Sequence, residues 1–342
     1  MEKIISVVLT VRNEERHIEE CLNSILAFVT NDMFSVEIIV VDGMSDDKTR
    51  NIIDNMRNDS IRIIENFKLT QAHGFNIGVK ATSGDWVAWL GAHSIYPNDY
   101  LLGLYQSAIR SNADYTGGVI ETIPFDDSYS SSIVQALTTH KFGVGNSGFR
   151  VGAVEGPADT ASFGIFKKEI FSKIGFFNEN LLRAQDYEFN ARIRHNGGSV
   201  WINPSMVVRY TNQPNLLKFL AKQFYKEAPY NVYMWYLAPY TFTYRHAITG
   251  LFAIGIISGA LLSFLNSFVC YIYGSVLLIY FGLAIISAFQ QVQKYGKLFH
   301  IIALPISFFL FHFIHGLGLI DGVLKLIFKT APVQNNIANG TG

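Results

Sequence analysis

The 342-residue sequence has only two cysteines and nine prolines, and from His246 to Gln293 it has no Asp, Glu, Lys or Arg at all. Cys21 and Cys270 fall in different regions with no metal-binding spacing, so they exclude a disulfide scaffold and suit a reducing compartment. The missing charge excludes more. A soluble surface needs charged groups for hydration, so the run after His246 is no ordinary soluble surface. Of 27 basic and 27 acidic residues, only Lys294, Lys297, Asp321, Lys325 and Lys329 follow Arg245, and the formal net charge of zero hides two different materials. No basic patch laced with aromatics stands out, which excludes nucleic acid as a partner.

Where charge is absent, apolar length takes over. Residues 246–267 and 268–289 each reach the roughly 20 residues that a spanning helix needs, and 299–328 offers a third stretch containing Pro305. The alternative, a buried hairpin of a large soluble protein, rarely lacks every charge. Lys218, Lys222, Lys226 and Arg245 precede the first stretch, the turn from Asn266 to Phe268 is uncharged, and Lys294 and Lys297 follow the second. That asymmetry predicts a cell-membrane (inner-membrane) protein whose N-terminal part faces the cytoplasm. Glu2 and Lys3 lead straight into a strand-like run, Ile4 to Val11, with no signal-peptide pattern. Aromatics including Phe219, Tyr225, Tyr230, Trp235 and Tyr236 suit the headgroup zone and membrane lipid. The expected organisation is a folded domain over 1–230, an interfacial aromatic linker over 231–245, two or three membrane helices over 246–330, and a disordered tail over 331–342.

The first domain alternates β-rich runs with helical stretches: IISVVLTV, VEIIVVD, IRIIEN and WVAWLG precede helices expected from about Glu14, Asp46, Thr70 and Pro97. Strands that are almost continuously apolar belong in a sheet covered on both faces, so a doubly wound α/β domain is expected. Ligands then sit at the carboxyl ends of the strands. The polar segments TVRNEE, VDGMSDDKT and GAHS all stand at strand exits. Further on, the glycine-rich stretch 143–158 reads as a mobile loop, and helical periodicity returns over Gln185–His195 and Leu216–Lys226.

Asp42 ends a buried strand, where its carboxylate suits a nucleobase N–H or a ribose hydroxyl, and Ser45 or Asp46 suits a helix cap. Arg12 suits a base face or a diphosphate, and Glu14 suits ribose. Gly74, Gly78, Gly84 and Asn76 give one helix a small face, which serves either a ligand or close helix-on-sheet packing. Near the C-terminus, Gly316, Gly318 and Gly322 permit close helix packing, and His312, His315 and Asp321 read as polar groups near a helix end rather than a metal site.

The order of these pieces is specific. VVLTVRNEE, VVDGMSDDKT, QAHGFNIGVKATSGDWVAWL and then FKKEIFSKIGFFNENLLRAQDYEFNARIRHNG resemble, over about residues 3–230, the inverting family 2 glycosyltransferases with their nucleotide-sugar-binding GT-A fold. GAH, DTASFGIF and QFYKEAPY look like the membrane-bound exopolysaccharide enzymes of the succinoglycan type. The resemblance implies an α/β GT-A domain with a doubly wound mixed sheet, followed by a C-terminal transmembrane helical region. It places Asp42 on the base of a nucleotide-sugar donor, Thr10 and Arg12 around that base, and Glu14 near the ribose. Asn76 joins them as a donor-binding candidate. Gly91, Ala92 and His93 stand where the family's DXD motif holds sugar and divalent metal, here without a carboxylate, so His93 is the metal ligand expected for Mn²⁺ or Mg²⁺.

Asp186 matches the family's catalytic base, with Gln185 replacing its acidic neighbour and removing a repelling charge. An inverting transfer needs one base and no carboxylate nucleophile. A first-turn or capping charge is the competing reading of Asp186. Asp159 and Thr160 are implied acceptor contacts, as are Gln223 and Lys226 in a shortened form of the closing motif of processive members. Its usual Trp is absent there, so a single sugar is expected to move to a lipid-linked or saccharide acceptor. A catalytically silent membrane scaffold is the alternative, supported by GAH and opposed by Asp42 and Asp186.

Overall fold

The computed structural model describes residues 3–334. Nine strands form one mixed sheet: β1 (Ile4–Val11), β2 (Ser35–Asp42), β3 (Ile61–Glu65), β4 (Trp86–Gly91), β5 (Ser94–Ile95), β6 (Tyr115–Ile123), β7 (Gly156–Pro157), β8 (Ser162–Lys167) and β9 (Val200–Thr211). The helices of this part are α1 (Ile18–Leu26), α2 (Thr49–Asn55), α3 (Gln71–Ala81) and α4 (Tyr100–Ser111). Next come α5 (Tyr129–Thr138), α6 (Lys141–Val144), α7 (Gly148–Val151), α8 (Glu169–Ile174) and α9 (Gln185–His195). After them run α10 (Leu216–Lys222), α11 (Ala228–Leu237), α12 (Tyr244–Ser263), α13 (Ser267–Tyr295) and α14 (His300–Ile327), with a π-helical turn at Gln223–Glu227 between α10 and α11.

The sheet order is β3-β2-β1-β4-β8-β6-β9-β5, with β7 on β9. Strands β3, β2, β1 and β4 are parallel, and β8 joins β4 in the opposite sense. Alternation explains why β1 reads as continuously apolar. Ile5, Val7, Leu9 and Val11 face one core shared with Ile18 and Leu22 of α1 and Leu101 and Leu104 of α4. Val8 faces a second core with Phe75 and Val79 of α3 and Phe189 of α9. Close packing, not a ligand, explains the small face of α3, because a side chain at Gly78 would run into Val8 of β1. Gly84 lies beyond the end of α3, in the turn before β4.

The chain divides into two compact units, residues 1–121 with 148–211 and residues 122–147 with 212–342. The boundary expected after residue 230 therefore falls inside the second unit. That unit also claims a segment sequence order assigns to the first domain: α5 packs Ile133, Val134 and Leu137 against Leu304, Phe308 and Phe311 of α14. Polar contacts fasten it, with Gln291 Nε2 donating to the Ala136 carbonyl at 2.6 Å and Ser132 Oγ lying 3.0 Å from His300 Nε2. Three helices in this unit are long and apolar enough to cross a membrane, Tyr244–Ser263, Ser267–Tyr295 and His300–Gln334. Side chains such as Tyr271, Leu278 and Ile302 stand exposed on them, a surface that water does not tolerate in bulk. Gly316, Gly318 and Gly322 of α14 lie against Thr249, Phe224 and Pro229 respectively, the close helix packing their small size permits. His312 is bonded to Tyr280 and His315 to Thr249, both at 2.8 Å, so they join helices to one another. Ala331 and Val333, expected within a disordered tail, are fully buried, and the rest of that stretch, 335–342, lies outside the described residues.

The stretch 143–158, expected as a loop, holds the short helix α7 and strand β7. In the first unit, Glu37 of β2 ties three segments together. Its carboxylate accepts hydrogen bonds from Ser6 Oγ, from Ser83 N at 2.6 Å and from Gly84 N at 3.3 Å. Partial burial pushes its pKa up, but the bonds from Ser6, Ser83 and Gly84 outweigh it and hold the carboxyl below its ordinary value of 4.5. A depressed carboxylate stabilises the fold fully above that ordinary value, and the contribution is lost as pH falls through the lower folded-state value. Glu37→Gln should therefore melt below the parent near neutral pH, with the gap closing as the pH drops below 4.5; a gap independent of pH in thermal denaturation would contradict this.

Candidate active site

Two loops at the carboxyl ends of β1 and β2 hold each other in place. Asn13, in the left-handed region at φ 57°, donates its N–H to Ser45 Oγ at 3.0 Å, and its side-chain oxygen accepts from Asp46 N at 3.0 Å. Glu14 N donates to Thr49 Oγ1 at 2.7 Å, Glu15 N to Asp47 at 3.1 Å, and Lys48 N to the Glu15 carboxylate at 3.2 Å. Five backbone N–H groups, of Asn13, Glu14, Glu15, Asp46 and Lys48, thereby find partners across the gap. The side chain that serves the start of α2 is Asp47, whose carboxylate accepts from Thr49 N at 2.9 Å, and not Ser45 or Asp46. Helix α1 starts at Ile18 and α2 at Thr49, each a few residues later than the starts expected near Glu14 and Asp46.

This exchange presents Asp42. Its side chain is buried, and Oδ1 accepts from Ser45 N at 3.1 Å and Ser45 Oγ at 2.6 Å. Arg50 lies 3.8 Å from the other oxygen. Thr10 sits in β1 between Val41 of β2 and Gly91 of β4, and Arg12 is exposed at the loop start.

Gly91, which ends β4, and the two residues after it are placed differently. A Cβ at Gly91 would lie 2.7 Å from Phe163 Cε1, so a side chain there would require Phe163 to move, and the Gly91 N–H donates to Tyr96 OH at 2.7 Å. Phe163 holds that place at φ 43°, a strained conformation for a bulky residue, with its carbonyl accepting from Tyr100 OH at 2.7 Å. Ala92 turns into the core. Only His93 projects outward, 41% exposed, with Nδ1 3.3 Å from Glu14 Oε1 and its ring 5.2 Å from that of Tyr210. Glu14 thus faces an imidazole.

Asp186 lies half-buried in the first turn of α9. The N-cap is Ala184, in the left-handed region and without a side-chain cap bond, so Asp186 is a first-turn charge favoured by the helix dipole and not the cap. Gln185 Nε2 donates to Gln71 Oε1 at 2.7 Å. Gln71 opens α3, the helix that follows β3, so this bond sets the start of α9 at the carboxyl ends of the parallel strands, the side on which Asp42 and His93 lie. Asn76, expected at the donor, is buried and spends its amide on Phe177 and Glu179, at 2.9–3.0 Å. It thereby fixes the segment that leads into α9. Asn190 of α9 donates to Thr160 Oγ1 at 3.0 Å. Glu188 and Arg192 pair through two bonds, and Arg192 also donates to the carbonyls of Ile174 and Phe176. Burial, and then the nearby Asp186 carboxylate, push the Tyr115 hydroxyl pKa up.

The family model described as Glycosyl transferase family 2 matches residues 6–175. The chain carries a glycosyltransferase family 2 domain. A Methanococcus voltae protein named dolichyl N-acetyl-alpha-D-glucosaminyl phosphate 3-beta-D-2,3-diacetamido-2,3-dideoxy-beta-D-glucuronosyltransferase is 26% identical over 94% of this chain and 97% of its own length. The succinoglycan biosynthesis protein ExoA of Rhizobium meliloti is 25% identical over 64% of this chain and 66% of its own. Among solved structures, the mannosyltransferase PcManGT from Pyrobaculum calidifontis in complex with GDP-Man and Mn²⁺ aligns with a TM-score of 0.57 at 17% identity, covering 96% of this chain and 88% of that one. The protein is a glycosyltransferase with a GT-A-like mixed sheet.

In the glycosyltransferase, Thr10, Arg12, Glu14, Asp42 and His93 gather at the ends of β1, β2 and β4, while Asp159 is half-buried just before β8. Gln223 and Lys226 belong to the second unit, on its π-helical turn. Sequence reasoning missed Asn13, Asp47, Gln71 and Tyr210. An Asp two residues before Thr49 at a helix start was a usable signal for Asp47; the others depend on long-range partners. Asp47→Ala removes bonds to Glu15 N and Thr49 N, and should cost about 1 kcal/mol in denaturation and weaken nucleoside diphosphate binding in calorimetry. Unchanged binding would show that the loops order themselves without it.

Proposed function

We propose that the glycosyltransferase moves one sugar, with inversion, from a nucleotide diphosphate donor to a lipid-linked or saccharide acceptor at the cytoplasmic face of the cell membrane, in exopolysaccharide or cell-surface glycan synthesis. The observation that carries the reading is Asp186, a half-buried carboxylate at the start of α9, held by the Gln185–Gln71 bond at the ends of the parallel strands. Asp42, Thr10 and Arg12 are suited to the nucleoside. Asp186 would take the acceptor hydroxyl's proton as its oxygen attacks the anomeric carbon from the side opposite the departing diphosphate. No second carboxylate nucleophile is needed for inversion. Asp159, Thr160, Gln223 and Lys226 are the acceptor candidates, with Thr160 also tied to α9 through Asn190.

A relative whose name contains a dolichyl-linked sugar phosphate supports a lipid-linked acceptor, and three long apolar helices support a membrane setting. The basic residues Lys218, Lys222, Lys226, Arg245, Lys294 and Lys297 flank these helices in the pattern of a cytoplasmic catalytic domain.

The donor set decides what metal fits. Glu14 and His93 offer one carboxylate and one imidazole, and among the described residues no group of three His, Cys, Asp or Glu side chains is placed to hold an ion. That pair fits an ion shared with the donor phosphates, and suits Mn²⁺ better than Mg²⁺. When bound, such an ion would supply positive charge to the diphosphate.

Full-length enzyme in detergent, given a panel of nucleotide sugars and membrane lipid extract, should release nucleoside diphosphate from one donor. Asp186→Asn should lower transfer by about 10³-fold while leaving nucleotide affinity unchanged. Full activity in that variant would show the base is misassigned, and no release from any donor in the parent would favour a silent scaffold.

A further inference from the structure

At the donor end Arg12 is exposed at the loop start and Arg50 is already paired with Asp42, which leaves little fixed positive charge for a diphosphate. The Gly91-Ala92-His93 tripeptide at the end of β4 brings no fixed cation, and an ion would draw on Glu14 and His93. Yet the departing nucleoside diphosphate gains negative charge as its bond to the sugar breaks, and a preorganised donor must meet it.

Arg150 lies in α7, inside the glycine-rich stretch. Its guanidinium carbon stands 6.0 Å from the ring centre of Tyr210. Tyr210 pairs with Ser94 across β9 and β5, beside His93, whose ring is 5.2 Å away and whose Nδ1 faces Glu14 at 3.3 Å. A continuous row therefore runs from Arg150 through Tyr210 and His93 to the donor loop. Arg50, Arg110, Arg192 and Arg209 each have a carboxylate partner. Arg150 is half-buried and, among the described residues, has aromatic neighbours and no ion pair. A half-buried guanidinium without a counter-ion keeps its planar set of donors available to an external anion. The turn that carries Arg150 ends at Gly152, at φ 107° with nothing within 4 Å of a Cβ there, a position that favours glycine and leaves the arm room to adjust.

We propose that Arg150 binds the donor's diphosphate and neutralises the charge on the departing nucleoside diphosphate; this rests on the proposed function above. In the transfer, the acceptor oxygen forms its bond to the anomeric carbon and its proton passes to Asp186. The bond from that carbon to the phosphate oxygen breaks, and the electron pair stays on the phosphate. Arg150 remains protonated throughout and donates to two phosphate oxygens, which its planar fork matches. Arg150 and any divalent ion then share one task, so losing Arg150 makes the enzyme lean harder on the ion.

The test is calorimetry on the full-length protein in detergent, in EDTA, with UDP, GDP and dTDP and the matching monophosphates. Arg150→Gln should lose about 10- to 100-fold in affinity for the diphosphate that the parent binds, with a much smaller loss for the monophosphate. Arg150→Lys should recover part of that loss, with unchanged melting temperature, and Arg150→Gln should show a larger Mn²⁺ stimulation of transfer than the parent. Equal diphosphate affinity and turnover in Arg150→Gln would overturn the proposal, as would an equal loss for monophosphate and diphosphate. A parent that binds no nucleoside diphosphate at all would instead remove the proposed function on which this rests.

Discussion

Side chains of the loops after β1 and β2 accept each other's backbone N–H groups, and the geometry of the donor end depends on that exchange. Asp47 receives Glu15, Thr49 receives Glu14, Ser45 receives Asn13, and Glu15 and Asn13 answer by receiving Lys48 and Asp46. A single such bond contributes only about 1 kcal/mol net. Their joint effect is positional, because two irregular segments without a regular ladder acquire one arrangement. Asp42 is presented in its buried place by Ser45, and Glu14 is presented to His93. Burial of the strands below makes the arrangement durable, since β1 is covered on both faces.

The substitution of carboxylates by Gly-Ala-His acquires a steric explanation in this frame. Phe163 occupies the space a side chain at position 91 would need, Ala92 faces the core, and only His93 is left to work outward. Phe163 does so at a backbone angle that a bulky residue rarely adopts. Phe163, Tyr210 and His93 form an aromatic shelf here, whose centroids follow one another at 6.4 Å and 5.2 Å. Such a shelf favours ligands held by stacking and by cations over ligands held by a carboxylate-bound ion.

The parts legible in sequence were those with a local signature. Apolar runs announced β1, β2 and β4 and the three long helices, and the periodicity of 185–195 marked α9 to the residue. Thr70 was legible as the start of α3 and does cap it. What escaped lies in pairings between distant positions. Asn76 looked like a ligand contact because a polar residue on a small helix face has no visible partner in sequence, while in the fold its partners are 101 residues or more away. The docking of α5 on α14 escaped because a Ser-rich helix start says nothing of the Gln291 and His300 that bond to it. The cap expected at Ser45 or Asp46 is not made: the N-cap of α2 is Lys48, without a side-chain cap bond, and Asp47 before it accepts from Thr49 N.

With Asp186 as the proposed base, the chemistry has a stereochemical signature. Asp186 acting alone as the proposed base predicts direct displacement at the anomeric carbon. The most direct measurement is the anomeric proton coupling of the first product, read by NMR before any equilibration, with a donor of known configuration. The new linkage should have the configuration opposite to that of the donor; a product that retains the donor's configuration would contradict the assignment of Asp186 as the base of a one-step transfer.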